Sequence, residues 1–306
     1  MIYHKPFSLI VNLKRELDRL MNHTLVRNGH EIPSIGLGTW DMQGSACRNI
    51  VHEALDIGYR HIDCASMYEN EEEVGKGLFN SGVDRKEIFI TTKINTTGWT
   101  PSMGNGPFLQ NKDIAKSLEK SLQDLNTDYV DLLLIHWPRF ETNLGDMLEI
   151  MYRLKEAKKV KEIGVANFNS SLIKECVDLG FKDIYCNQVE YHPFLSQAKL
   201  LEVMQDFEIL PVAYCPICRG DVARHDVINN MAEKYSKTPA QIALRWIYQQ
   251  KAVSIPKTAN SYRLRENIDI FDFEIEYQDM LQIYSLHRNQ RLVPNLEINE
   301  LKYPFD

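Results

Sequence analysis

The feature that most constrains the fold is a regular alternation of short β-rich runs with amphipathic helical segments. Eight such runs follow one another from residue 34 onward, at 34–39, 59–63, 87–93, 129–136, 160–167, 183–190, 209–214 and 252–257. In the segments between them, apolar residues recur at three- and four-residue spacing, which is typical of helices that bury one face. Strict alternation of strand and helix implies a parallel sheet, and eight units predict a closed (β/α)8 TIM barrel.

Three further segments complete the predicted architecture. Asn28-Gly29, between short apolar flanks in residues 24–33, predicts a tight hairpin that plugs the bottom of the barrel. The stretch after the seventh run has room for two helices, at about 225–235 and 239–249. We therefore expect one barrel domain over residues 22–306, preceded by an extension over 1–21 that could be helical.

Composition limits the classes of function. The chain has 306 residues, is 44% hydrophobic and has a formal net charge of −7, which argues against a sequence-wide nucleic-acid surface. Its longest apolar run, at 130–137, is too short for a membrane helix of roughly 20 residues. Six scattered cysteines suggest a reducing compartment, so we predict a cytoplasmic protein. From the net charge and the short apolar runs, we expect it to bind neither nucleic acid nor membranes.

Polar or aromatic residues stand at the carboxyl ends of all eight predicted strands, the face on which TIM barrels carry their chemistry. Any one of them could simply mark where a strand stops, but eight together indicate a site. They are Trp40, Asp63, Lys93, His136, Asn167, Gln188, Tyr214 and Lys257.

Four residues at this face suggest acid catalysis. A Lys93 cation beside the Tyr68 phenol is expected to lower its pKa, while Asp63 keeps the ammonium charged. His136 could offer a ring N–H to a substrate oxygen. The alternatives are a tyrosine that caps a helix and an ion pair that is purely structural.

This pattern closely resembles the aldo-keto reductase family over about residues 22–292, in particular the bacterial, diketogluconate reductase-like branch. The matching motifs are "GLGTW" (36–40), "GYRHIDCASMYENEEEVGKGL" (58–78), "TTK" (91–93), "DYVDLLLIHWP" (128–138), "IGVANF" (163–168), "NQVEYHP" (187–193), "KTPAQIALRW" (237–246) and "IPKTANSYRLREN" (255–267). The resemblance implies NADPH-dependent reduction of aldehydes and ketones. It makes Tyr68 the general acid, Asp63 and Lys93 its partners, and His136 the residue that orients the substrate.

The resemblance also implies which residues contact NADPH. Tyr214 matches the ring that stacks on the nicotinamide, Asn167 and Gln188 match contacts to its carboxamide, and no metal is implied. Lys257, Thr258 and Arg263 match a pocket for the 2′-phosphate, and two cations with a hydroxyl suit a dianion. Glu266 and Asn267 match contacts to adenine. The remaining expected contacts to the cofactor are Gly38, Thr39, Trp40, Asp63, Pro216 and Ile217.

Substrate contacts are expected from Trp40, Tyr68, His136 and Trp137, which suit a small-molecule carbonyl. The long loop 95–111 could be a lid with Trp99 or Phe108 facing in, or a surface loop with neither. The C-terminal tail resembles the short tails of bacterial members, which suggests an open site and a broad substrate range. Monomer or weak oligomer is the expected state.

Two other functions stay open at this stage. Cys215 and Cys218 form a C-x-x-C pair where the family usually has Ser-Pro-Leu, so a thiol-redox protein is one alternative, and conservative replacement of serine is the other reading. The same barrel could also serve as a non-catalytic or slow subunit that senses the cofactor, since fold alone does not fix function.

Overall fold

The computed structural model describes residues 23–138 and 143–293, so the predicted extension over 1–21 lies outside the described residues. The described chain begins with an antiparallel hairpin of β1 (Thr24–Arg27) and β2 (His30–Pro33). Asn28 and Gly29 both have positive φ, 52° and 76°, as the tight turn of a two-residue hairpin requires. The predicted hairpin is confirmed.

Eight parallel strands follow, each hydrogen-bonded to the next in chain order. They are β3 (Leu37–Gly38), β4 (His61–Asp63), β5 (Phe89–Ile94), β6 (Val130–Ile135), β7 (Val160–Ala166), β8 (Cys186–Glu190), β9 (Leu210–Tyr214) and β10 (Val253–Ser254). Parallel bridges from Ile35 to Ser254 and from Gly38 to Lys257 join the first strand to the last. The sheet therefore curls into the predicted (β/α)8 barrel.

Glycine is needed where the barrel closes. A Cβ on Gly38 would lie 2.8 Å from the carbonyl oxygen of Ile255, closer than real Cβ contacts come. The bridge between Gly38 and Lys257 thus depends on the absence of a side chain.

Helices cover the outside of the sheet. They are α1 (Gly44–Asp56), α2 (Glu71–Ser81), α3 (Ile114–Leu125), α4 (Leu144–Glu156), α5 (Ser170–Asp178), α6 (Ala198–Asp206), α7 (Asp226–Tyr235), α8 (Pro239–Gln249), α9 (Ser261–Ile268) and α10 (Tyr277–Tyr284). Both helices predicted after the seventh strand of the barrel are present, as α7 and α8. A capping box between Thr238 and Gln241, with Pro239 in the first turn, fixes where α8 begins.

Two apolar layers hold these elements together. The outer one lies between the helices and the sheet, and the inner one fills the barrel with side chains such as Leu132, Leu134, Val212 and Val253. Ile32 of the hairpin is fully buried against this inner layer. Each such side chain stabilises the fold by about 1.5–3 kcal/mol, so the hairpin is part of the core.

Within residues 23–138 and 143–293, no helix has the length and apolar character needed to cross a lipid bilayer.

Candidate active site

The strand ends gather the predicted residues at one end of the barrel. Asp63 ends β4, Lys93 is the last residue but one of β5, and Tyr214 ends β9. Gln188 lies within β8. Trp40, His136, Asn167 and Lys257 follow β3, β6, β7 and β10 by one to three residues.

Tyr68 reaches this face from a short 3-10 helix, Ser66–Tyr68. Its backbone is held on both sides, because its N–H donates to the Ala65 carbonyl at 3.0 Å and its carbonyl accepts from the Gln43 amide at 2.9 Å. The phenol is only 8% exposed. The ring position is therefore set by the surrounding chain.

Lys93 connects the phenol to a carboxylate. Its Nζ donates to Tyr68 Oη at 3.1 Å, to Asp63 Oδ1 at 2.5 Å and to the Cys64 carbonyl at 2.9 Å. The second Asp63 oxygen accepts from Gln188 Nε2 at 2.7 Å. All three ammonium protons are used, so the lysine has a fixed direction.

The charges of this group differ from one sequence-based expectation. Burial opposes the charged form of Lys93, but Asp63 and Tyr68 outweigh it and raise the lysine pKa. The expectation that the pKa of Tyr68 is lowered is wrong, because burial raises it to about 12 although Lys93 pulls it down. Tyr68 thus carries its proton at neutral pH, with a cation placed to stabilise the phenolate left after the proton is given up.

His136 completes the group as a neutral ring. Its ring centre lies 5.5 Å from that of Tyr68, with the two planes at 72°. Burial, and after it the Lys93 cation, hold its pKa well below the usual value. Its Nδ1 is buried and has no hydrogen-bond partner within the described part of the chain.

Aromatic side chains surround the phenol. Trp40 meets Tyr68 edge-on at 5.0 Å between ring centres, and Trp137 is buried beside it. Trp99 packs on the same cluster, and its ring centre lies 6.2 Å from that of Trp40. The long loop therefore turns Trp99 toward the site. Sequence reasoning left Trp99 open beside Phe108, and no motif distinguished the two.

The C-terminal segment also reaches this cluster. The Glu190 carboxylate, which is 1% exposed, accepts the backbone N–H groups of Leu292 at 2.6 Å and Val293 at 2.9 Å, and it also pairs with His192. Val293 packs against the apolar group that contains Tyr68. The chain at Val293 therefore contributes to the apolar surroundings of Tyr68.

The residues matched to the nicotinamide are linked to the catalytic group. Asn167 donates to the His136 carbonyl at 2.9 Å and accepts from Tyr214 Oη at 2.8 Å. Asn167 has a φ of 63°, an uncommon conformation that asparagine tolerates better than most residues. Gln188 is committed to Asp63, as described above.

A basic surface lies at the start of α9, on the chain that follows β10. Lys257 and Arg263 are exposed, and neither has an ion-pair partner among residues 23–138 and 143–293. Thr258 Oγ1 accepts from the Asn260 N–H at 3.1 Å, which leaves its own proton to donate. Glu266 and Asn267 follow Arg263 by three and four residues, on the same face of α9. This donor set fits an anion such as a phosphate monoester.

The cysteine pair lacks the acidity of a redox dithiol. Cys215 is half-buried and Cys218 is buried, while Pro216 and Ile217 between them are buried and half-buried. Burial raises the pKa of Cys215 to about 11 and raises that of Cys218 further. Reactive cysteines have lowered pKa values, so thiol chemistry is not favoured here. In the described residues, no cluster of three or more His, Cys, Asp or Glu could hold a metal ion.

Comparison with known proteins agrees with this geometry. The model of the aldo/keto reductase family matches residues 34–288. Glyoxal reductase of Bacillus subtilis is 38% identical over 272 residues, covering 88% of this chain and 94% of its own. The aldose reductase of Schistosoma japonicum superposes with a TM-score of 0.83 at 31% identity, covering 93% of this chain and 98% of that one.

A third relative comes from the branch that the motifs suggest. A crystal structure described as a putative 2,5-diketo-D-gluconic acid reductase B has a TM-score of 0.83 at 34% identity, with 90% of this chain and 96% of that chain covered. The chain belongs to the aldo/keto reductase family and is an oxidoreductase that acts on carbonyl groups.

Proposed function

We propose that this protein reduces aldehydes and small ketones with NADPH, and that Tyr68 is the acid that protonates the carbonyl oxygen. The observation that carries the proposal is the contact of Tyr68 Oη with Lys93 Nζ at 3.1 Å, inside a buried group that also contains Asp63 and His136. A protonated phenol beside a fixed cation is an acid suited to an oxygen that gains negative charge.

The steps of the reaction follow from these residues. When bound, the nicotinamide supplies the hydride that goes to the carbonyl carbon. His136, which is neutral, donates a ring N–H to the carbonyl oxygen and orients it. Tyr68 transfers its proton to the same oxygen, and the Lys93 ammonium stabilises the phenolate until solvent returns a proton. Asp63, held by Gln188, keeps the ammonium charged and in place.

Cofactor choice rests on the basic surface at α9. Lys257, Thr258 and Arg263 would hold the 2′-phosphate that distinguishes NADPH from NADH, since a dianion needs cations and a hydroxyl donor. Tyr214 would stack on the nicotinamide, and Glu266 with Asn267 would contact the adenine. Gly38, Thr39, Trp40, Pro216 and Ile217 would line the path between these two ends.

The test follows NADPH absorbance with methylglyoxal and with an aromatic aldehyde as substrates. Tyr68→Phe removes only the acidic hydroxyl, so kcat should fall by about 100- to 10,000-fold while NADPH still binds. Tyr277→Phe, an exposed tyrosine on α10, is the matched control and should keep full activity. Full turnover by Tyr68→Phe would refute the assigned role, and tight NADPH binding with no turnover of any carbonyl would favour the cofactor-sensing alternative.

A further inference from the structure

The loop between β5 and α3 is attached to the residue that follows Tyr68. The Glu69 carboxylate accepts the backbone N–H of Ser102 at 3.0 Å and also the Ser102 hydroxyl. These hydrogen bonds lower the pKa of Glu69, so the carboxylate is charged at neutral pH. Ser102 lies in the turn that pairs Thr100 with Gly104, so the contact joins the tip of the loop to the chain beside Tyr68.

The base of the same loop is closed independently. Gly106 N–H donates to the Gly98 carbonyl at 3.0 Å, and the Thr96 hydroxyl donates to the Trp137 carbonyl at 2.8 Å. Gly98 has a φ of +70°, and a Cβ there would lie 2.1 Å from the Pro107 carbonyl oxygen. Only glycine permits this approach, so the loop is fixed at its base as well as at its tip.

Trp99 lies between these two attachments. Its carbonyl accepts from the Asn95 amide at 2.8 Å, and its N–H donates to the Thr97 hydroxyl at 3.3 Å. The indole is half-buried, packs with Tyr68 and Trp137, and faces Trp40 with the ring planes 32° apart. Three of the four tryptophans of the chain therefore surround one phenol.

We propose that Trp99 contacts the substrate and that Glu69 is the positioning residue that holds it there, so that the site prefers carbonyls attached to a planar aromatic group. The inference rests on the reductase function proposed above. Aromatic rings pair favourably with one another in offset and edge-on arrangements, which a small aliphatic carbonyl does not offer. Glu69 does not touch the reacting atoms, because its carboxylate is committed to Ser102.

Loss of the Glu69–Ser102 contact should change KM for an aromatic substrate and leave kcat nearly unchanged. Releasing the loop tip leaves Tyr68, Lys93, Asp63 and His136 in place but lets the indole move away from the mouth. The lost interaction is charged but exposed to solvent, so KM for an aromatic aldehyde should rise by about 2- to 5-fold. Methylglyoxal has no ring to contact Trp99, and its kcat/KM should stay within about twofold of the wild-type value.

The experiment compares benzaldehyde with methylglyoxal as substrates of Glu69→Gln, Ser102→Ala and the double variant. Glu69→Gln removes the charge from both hydrogen bonds, whereas Ser102→Ala removes only the hydroxyl one. The double variant should therefore be no worse than Glu69→Gln alone. Trp99→Ala should raise KM for benzaldehyde more than either single variant does, and it should lower the ratio of kcat/KM for benzaldehyde to kcat/KM for methylglyoxal. Glu72→Gln replaces an exposed carboxylate at the start of α2 and is the matched control. It should change neither kcat nor KM for either aldehyde.

Each contrary result has a defined meaning. Equal losses for both aldehydes, a fall in kcat, or additive effects in the double variant would overturn the positioning role of Glu69. If the wild type reduces both aldehydes but Trp99→Ala leaves the preference between them unchanged, this inference alone is overturned. If the wild type reduces neither aldehyde with NADPH, the proposed function falls and this inference falls with it.

Discussion

Arg263 and Arg265 lie two positions apart on α9, and both are exposed. Two positions on a helix place side chains on nearly opposite faces, while Arg263 shares a face with Glu266 and Asn267. Substituting the two arginines in turn therefore distinguishes two effects: the general positive charge that either residue adds to the helix surface, and a direct contact with a ligand that only Arg263 could make.

We expect Arg263→Ala to raise KM for NADPH by about tenfold and to leave KM for NADH unchanged, because only NADPH carries the 2′-phosphate. Arg265→Ala should change neither value. Steady-state kinetics with both cofactors check this prediction. An equal effect of the two substitutions would indicate general electrostatic attraction, not a phosphate pocket.

At the scale of elements, the C-terminal end of β8 holds two different parts of the molecule in place. Gln188 holds Asp63 of the catalytic group, while Glu190, two residues on and on the same side of the strand, holds the chain at Leu292 and Val293. A buried carboxylate that accepts several N–H groups is costly to disturb, because any donor left without a partner pays its full desolvation cost.

Glu190→Gln keeps the size of the side chain but removes its charge and one acceptor. We expect the backbone N–H groups of Leu292 and Val293 to exchange with solvent about tenfold faster or more, since a hydrogen bond to a charged group contributes about 1.5–3 kcal/mol. Hydrogen exchange read by mass spectrometry on the C-terminal peptide measures this. Glu202→Gln, an exposed carboxylate on α6, should leave the exchange unchanged. Equal exchange in both variants would show that Glu190 does not hold this segment.

At the scale of the whole molecule, buried neutral histidines tie stability to pH. His61 is fully buried against Thr91 and Phe89, and burial, with a smaller effect from Lys93, lowers its pKa to about 3. In the unfolded chain the ring takes up a proton below about pH 6.5, whereas the folded protein does not until about pH 3. The free energy of unfolding must therefore fall as pH decreases through that interval.

The expected contribution of His61 is about 1.4 kcal/mol per pH unit below about pH 6.5. Urea unfolding at about pH 7 and about pH 5.5 checks it, with His61→Gln compared to the wild type. The variant should be less stable at neutral pH but should lose less stability on acidification. His52→Gln, at a half-buried histidine on α1, should keep the wild-type dependence. An unchanged slope in His61→Gln would contradict the account.

The sequence predicted what depends on local pattern. Strand spacing predicted the barrel, Asn28-Gly29 predicted the hairpin, and the strand ends predicted that Asp63, Lys93 and His136 meet. The contact of Glu69 with Ser102 joins residues 33 apart, and that of Glu190 with Val293 spans 103, so neither has a signature within a short window. The direction of the Tyr68 pKa shift depends on how much water the fold excludes, which charge pairing alone does not reveal.

The barrel closes at one short seam. The first and last strands of the sheet, β3 and β10, have only two residues each, and the seam between them depends on the two bridges from Ile35 and Gly38. The residues proposed to hold the cofactor begin on both sides of this seam, at Gly38 on one and Lys257 on the other. A dinucleotide bound by residues on both sides would connect the first strand of the barrel to the last, so its release would be coupled to a loosening of this seam.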